Sequence, residues 1–293
     1  MSQLGEFVLR NIIARRKGIP VTKIDTHEAY HRWQFESSPS LFTKYPDFSL
    51  RGKSILEIGC GIGGRSAWLA TQGAARVVAI DINAEEIAIA IQLRDELYPA
   101  LAPMLEYLVS REDGMLDIGQ FDYVLMVDMM EHVVSPPSIL RLAHAYTKPG
   151  GACFFSTFGW YHHSGSHAGL LPWANVFFSD ETLINVIRWR ISRPNYKPSR
   201  FDSPVPLDRW KGIYDLRDRP GEHLNKITLA EIRKLLRYTI FKSGYMVLWP
   251  IGGRLTWLFR ALIRVPYLDE LFHGYLVVRL EKAATPTPGT TSH

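Results

Sequence analysis

The residue types that could do chemistry are gathered most densely in Ile55-Leu-Glu57-Ile-Gly59-Cys60-Gly61-Ile-Gly63-Gly64. Glycines at this spacing let a ligand approach the backbone, and a helix starting at their end presents free N–H groups and a positive dipole. Gly59, Gly61 and Gly64 also satisfy G-x-G-x-x-G, the pattern that cradles a dinucleotide pyrophosphate. Asp81 suits either ligand, because a carboxylate at the end of the next strand accepts from ribose hydroxyls. Glu57 separates the two readings. A negative charge just ahead of the turn repels a pyrophosphate but receives the ammonium of an amino-acid moiety. A cofactor with an amino-acid end is therefore favoured, and an NAD-dependent dehydrogenase is the lesser alternative.

With the form E-x-G-x-G-x-G followed by Asp81, the chain resembles the class I S-adenosylmethionine-dependent methyltransferases. The likeness covers residues 53–158 and, loosely, the closing strands. Phe121-Asp122-Tyr-Val-Leu-Met-Val-Asp128, running into Met129-Met130-Glu131-His132-Val133, is similar to the ubiquinone-biosynthesis-type and methyltransferase type 11 bacterial small-molecule enzymes. The resemblance implies S-adenosyl-L-methionine as cofactor and a doubly wound, seven-stranded, Rossmann-like α/β sheet. By position it implies that Glu57 meets the cofactor amino group and that Gly59, Cys60, Gly61 and Gly63 line its methionine portion. Asp81 would hold the ribose and Ile82 would pack on the adenine, with Asp113 and Gly114 at the adenine amino edge or Glu112 in their place. Asp128 and Met129 would lie beside the sulfonium and the incoming nucleophile. Tyr30 and Trp33, on an aromatic helix ahead of the core, either fold over the cofactor as a lid or simply pack.

Methyl transfer from a sulfonium is an in-line displacement that needs alignment and a deprotonated nucleophile, so a general base is sought near the strand tips. Histidines are the first candidates. His132 follows the fourth strand, where it serves as base or orders the loop; His163 and His167, with His162, crowd the segment after the fifth. Their spacing matches no metal motif and the chemistry requires no metal, so none is expected. From Arg188 to Arg219 there are nine Lys or Arg against four Asp, a local excess that points either to an anionic or carrier-tethered substrate or to a solvated surface. Nucleic acid is disfavoured: the Ser135-Pro-Pro-Ser138 run lies beyond the strand tip at Asp128 and reads as a helix start. The expected reaction is O-methylation of an acidic or phenolic metabolite, with N- or C-methylation next. Another reaction of the same cofactor and a non-catalytic cofactor-binding regulator stay open as alternatives.

The elements that must position these residues alternate. Strands are predicted at Lys53–Ile58, Arg76–Asp81, Leu105–Ser110, Phe121–Asp128 and Ala152–Phe158, with helices at Gly63–Gly73, Ala84–Tyr98 and from Pro136 to Thr147 between them. This is the pattern of a parallel sheet covered on both faces. Regularity lapses from Gly159 to about Leu224, a stretch too aromatic for disorder, which predicts a cap over residues 159–225. A helix near Thr228–Phe241, a strand near Tyr245–Pro250, a helix near Leu255–Ile263 and a strand near Gly274–Leu280 follow. The expected organisation is a helical lid at 1–50, a core at 51–158 and 226–282, and a disordered tail at 283–293.

The 293 residues are 46% hydrophobic, ample for a core, and the net charge of +5 is too small by itself to imply a nucleic-acid binder. Two cysteines in apolar runs suit a reducing cytoplasm. No apolar stretch is long enough for a membrane span. Leu4, Phe7, Val8, Ile12 and Ile13 share one face of an N-terminal helix, ahead of Arg15, Arg16 and Lys17; docking of this face on the chain's own domain is expected over a membrane-surface role. The run through Trp249, Leu255, Trp257 and Phe259 is expected to be core.

Overall fold

Side-chain parity along the strands accounts for the architecture. In the computed structural model, which describes residues 2–15, 26–111, 115–165, 171–193 and 224–285, the strands are β1 (Ser54–Ile58), β2 (Arg76–Asp81), β3 (Leu105–Val109), β4 (Phe121–Met126), β5 (Thr147–Thr157), β6 (Ser243–Pro250) and β7 (His273–Glu281). Ile55, Val77, Ala79, Leu125 and Phe154 face one apolar cluster, while their neighbours Leu56, Val78, Ile80, Val124 and Phe155 face another. Successive side chains point to opposite faces, so strands that are apolar at both parities must be covered on both sides.

The sheet order is β3-β2-β1-β4-β5-β7-β6. β1 to β5 are parallel, and β7 is antiparallel to both β5 and β6. The helices are α1 (Ser2–Arg15), α2 (His27–Phe42), α3 (Gly64–Thr71), α4 (Ala84–Leu97), α5 (Pro136–Tyr146), α6 (Ala174–Phe177), α7 (Asp180–Ile191), α8 (Leu229–Arg237), α9 (Thr256–Leu262) and α10 (Leu268–Phe272). The chain order reverses at β1, which lies between β2 and β4. Crossovers leave in opposite directions there and open a crevice at the carboxyl ends of the strands.

Local signals set several boundaries. Asn83 accepts from the backbone N–H groups of Glu85 and Glu86 to start α4, and Thr228 with Glu231 forms a reciprocal capping box that starts α8. α8 stops at Arg237, short of the expected Phe241, and β5 begins at Thr147, earlier than expected.

Two apolar expectations need correction. α1 does dock on the chain, but through Leu9 and Ile13 against Leu183, Val186 and Ile187 of α7, in a small cluster separate from the sheet core. Leu4, Phe7, Val8 and Ile12 are exposed. The stretch expected as core after β6 also faces outward: Trp249, Leu255 and Trp257 are exposed, and no residue of α9 is fully buried. Only Phe259 of that run turns inward, stacking on Phe272 with ring centroids 5.6 Å apart.

Candidate active site

The turn between β1 and α3 is one that glycine alone accommodates well. Gly59, Gly61 and Gly63 have φ of 76°, 54° and 75°, in the left-handed region that a Cβ disfavours. Space is equally short. A Cβ on Gly59 would lie 2.7 Å from Cγ of Met129, one on Gly63 would meet the Tyr107 ring at 2.4 Å, and one on Gly64 would run into the His31 carbonyl oxygen at 2.3 Å. α2 thus lies directly on the start of α3. Nδ1 of His31 is 2.8 Å from the Ile62 carbonyl, and the Gly64 N–H donates to Oε1 of Gln34 at 3.3 Å.

Asp81 holds the turn from the other side. Its Oδ2 accepts from the Gly61 N–H at 2.8 Å and its Oδ1 from the Asn83 N–H at 2.9 Å. Each carboxylate oxygen keeps a second lone pair, so a ribose hydroxyl can still donate to it. Ile82, beside it, is half-buried.

Glu57 has the parity of Ile55 and therefore faces α3 rather than α5. It is 1% exposed, and its Oε2 accepts from the Ser66 hydroxyl at 2.5 Å. Burial pushes its carboxyl up to about 7, with Asp81 adding to the rise while Ser66 and Arg65 oppose it. A carboxylate removed from water calls for a cation, and among the described residues no ion pair includes it. The position next to three left-handed glycines fits an ammonium group carried by a ligand.

A second cluster forms where β4 ends. Asp128 has φ of 51°, uncommon for a residue with a side chain. Its Oδ1 accepts from the Ser156 hydroxyl at 2.7 Å and from the Tyr275 hydroxyl at 3.0 Å, and Oδ2 lies 3.3 Å from Nη2 of Arg65. The Asp128 N–H donates back to the Ser156 oxygen at 2.9 Å. Four contacts of this kind can hold a strained backbone in place. Burial is the largest influence on the Tyr275 phenol and raises it well above its ordinary value, with the Asp128 charge adding to the rise, so it stays a donor.

These geometries bring together Glu57, Gly59, Gly61, Gly63, Asp81, Asp128 and Met129 at one edge of the sheet. Cys60 is buried behind the turn, its thiol pushed up by desolvation and by the acids around it. Tyr30 stacks on Trp33 at 5.5 Å; Tyr30 is half-buried and Trp33 is exposed. His132 ends the short turn Met130–His132 beside the buried Glu131, whose carboxyl burial pushes up to about 8 and whose Oε2 accepts from Thr157. His163 belongs to a stack of rings: it lies 3.9 Å from His162, which is 4.9 Å from Phe158, which meets Tyr275 edge-on at 5.9 Å. Burial lowers the His163 imidazole, as it does His273, which is pushed down to about 4. His167, Asp113, Gly114 and the alternative Glu112 lie outside the described residues.

Arg65, Ser66, Ser156 and Tyr275 escaped the sequence reading. Only Arg65 carried a signal: a cation in the first turn of a helix opposes the helix dipole and needs a reason to be there. Ser156 and Tyr275 reach Asp128 from β5 and β7 through strand register alone, because Ser156 pairs with Val277, two residues from Tyr275.

A methyltransferase domain family matches residues 27–239. The chain belongs to that family. A ubiquinone biosynthesis O-methyltransferase of Pseudomonas paraeruginosa is 36% identical over 108 residues, which are 37% of this chain and 45% of that protein. The namesake enzyme of Pectobacterium atrosepticum is 28% identical over 181 residues, 61% of this chain and 69% of that one. The chain thus spans about half the length of the first of these curated relatives. Among solved structures, phosphoethanolamine N-methyltransferase 2 of Haemonchus contortus, in complex with S-adenosyl-L-methionine, superposes with a TM-score of 0.52 at 14% identity, covering 94% of this chain and 60% of that one. That superposition carries the fold. The resemblance to class I S-adenosylmethionine-dependent methyltransferases is borne out by the family match and by the seven-stranded sheet. Among the described residues no helix is long and apolar enough to cross a membrane.

Proposed function

We propose that this methyltransferase moves a methyl group from S-adenosyl-L-methionine to an oxygen of a small phenolic or acidic metabolite. The observation that carries the cofactor assignment is Glu57, a buried carboxyl held near neutrality beside a left-handed glycine turn. Glu57 receives the ammonium of the amino-acid end, Gly59 to Gly63 admit its backbone-like portion, and Asp81 accepts from the ribose, with Ile82 and the segment holding Asp113 and Gly114 around the adenine. When bound, the cofactor supplies an electrophilic methyl on sulfur. Asp128, held by Arg65, Ser156 and Tyr275, and Met129 shape the wall that aligns the nucleophile. Tyr30 and Trp33 on α2 close the crevice.

The oxygen choice rests on the names of the curated relatives, both O-methyltransferases. A phenol must lose its proton as the C–O bond forms and the S–C bond breaks. His132, at the tip that carries Asp128, accepts it; His163 and His167 are the alternatives within the loop that opens the cap at 159–225. That cap, with its local basic excess, selects the substrate. Buried, unpaired Cys60 and Cys153 favour the cytoplasm as its compartment.

Calorimetric titration with S-adenosylmethionine and S-adenosylhomocysteine tests the reading. Micromolar binding by the wild type, lost in Glu57→Ala, is the expected result. Absence of binding by the wild type, or binding of NADH instead, overturns it.

A further inference from the structure

The connection between β6 and β7 exposes large apolar side chains beside a run of positive charge. From Ile251 to Tyr267 it contains three arginines and no acidic residue. Leu255 is 51% exposed, Trp257 70% and Tyr267 84%, with Val265 also outside. A helix that belongs to a core buries one stripe, yet no residue of α9 is fully buried. The segment is nonetheless a built surface. Phe259 stacks on Phe272, the Thr256 hydroxyl donates to the Gly253 carbonyl at 2.6 Å, and the Ile251 N–H donates to the Phe272 carbonyl at 3.2 Å.

Strand register places this surface. Pro250 pairs with His273 and Ser243 with Glu281, while Thr157 at the end of β5 pairs with Leu276. The connection therefore leaves the sheet at the carboxyl edge of the parallel strands, the edge that carries Glu57 and Asp128. Arg254, Arg260 and Arg264 are exposed, and none pairs with a carboxylate among the described residues.

We infer that this face docks on an anionic lipid surface, with α9 lying in the plane of the headgroups. Exposed Trp and Tyr suit the interface between headgroups and acyl chains, aliphatic side chains enter the acyl boundary, and exposed arginines meet lipid phosphates. Charge complementarity selects this occupant over a second copy of the chain. A two-fold contact through the face would set three arginines against the same three, in a molecule that is already at +5. Docking there would bring the carboxyl edge of the sheet toward the bilayer, so a metabolite dissolved in lipid could reach the site without crossing bulk water.

Flotation of the full chain with phosphatidylcholine vesicles, and with vesicles holding about one third phosphatidylglycerol, tests the inference. The wild type should float with the anionic vesicles, stay below with the neutral ones, and be released by high salt. Each Arg→Glu change at Arg254, Arg260 or Arg264 should weaken binding roughly fivefold, and the triple change should abolish it. Trp257→Ala should weaken it roughly tenfold. Melting temperature and cofactor affinity should hold in all of these variants, because the altered side chains are exposed. Failure of the wild type to float, equal flotation with neutral vesicles, or a triple variant that floats like the wild type would overturn it. So would a dimer in solution that Trp257→Ala dissociates, which would give the face to a second copy. None of these readouts depends on methyl transfer, so the docking inference and the catalytic reading fail separately.

Discussion

The glycine turn after β1 and the arginine-rich connection after β6 emerge at the same edge of the sheet, yet they are built on opposite principles. In the turn almost every atom is in contact. Three left-handed glycines, the α2 backbone, Tyr107 and Met129 leave no room for one added carbon, and a carboxyl is buried against its electrostatic preference. In the connection, aromatic and aliphatic side chains stand in solvent and nothing in α9 is fully buried. The turn is closed by contacts on every side, whereas the connection leaves its large apolar side chains in solvent.

The largest loss of stability should come from closing the turn. Gly64→Ala drives a methyl into the His31 carbonyl and pries α2 from α3, so a destabilisation of about 2–3 kcal/mol by thermal or denaturant unfolding is expected, with cofactor affinity falling at least roughly tenfold. An alanine variant as stable as the wild type would show that α2 is a loosely held lid, and would weaken the contrast with the connection.

Glu57→Gln should split stability from binding. The amide keeps the shape and can still accept from Ser66, but it cannot neutralise an ammonium, so affinity for the cofactor should fall roughly a hundredfold. The ligand-free protein should instead gain stability above pH 7. Because the folded-state carboxyl is raised to about 7, folding retains a proton that the unfolded chain loses at its ordinary lower pH. Wild-type stability should therefore decline as pH rises from about 4.5 to about 7, by on the order of 3 kcal/mol, and then level. The Gln variant should lack that slope. Cofactor affinity should run the other way, rising with pH up to about 7 as the carboxylate forms.

Tyr275→Phe removes one donor to Asp128 and leaves the ring in place. Stability should fall by about 1 kcal/mol and the methyl-transfer rate roughly tenfold, with cofactor affinity nearly unchanged. His132→Ala should abolish most turnover while leaving cofactor binding intact; turnover near wild type would move the base to His163 or His167. The smallest effect on fold and cofactor should be Trp257→Ala, with a melting temperature within about one degree of wild type. A large drop would mean that the connection is core after all.

From β1 to β5 the elements were legible in the sequence, because parallel strands are apolar at both parities and Pro and Gly mark their ends. Lys53–Ile58 against the observed Ser54–Ile58 is typical of the agreement. The Glu57–Gly–Asp81 constellation was legible for a related reason: its members lie within one strand-turn-helix-strand unit, where spacing alone decides geometry. α1 and α9 misled the reading in the same way. Both helices are apolar over much of their circumference, so periodicity cannot say which side a neighbour covers, and α1 buries Leu9 and Ile13 while leaving Phe7 outside.

What the sequence determined by itself was therefore local and periodic: the alternating elements, the glycine turn with its two acids, and with them the family. What only the tertiary structure decided was the company each side chain keeps. Asp128 is held by α3, β5 and β7, elements far apart in the chain, and Glu57 is held near neutrality by burial that no neighbouring letter encodes. Register and packing bring such groups together through many weak contacts summed over the whole sheet, and a linear pattern carries no record of that sum.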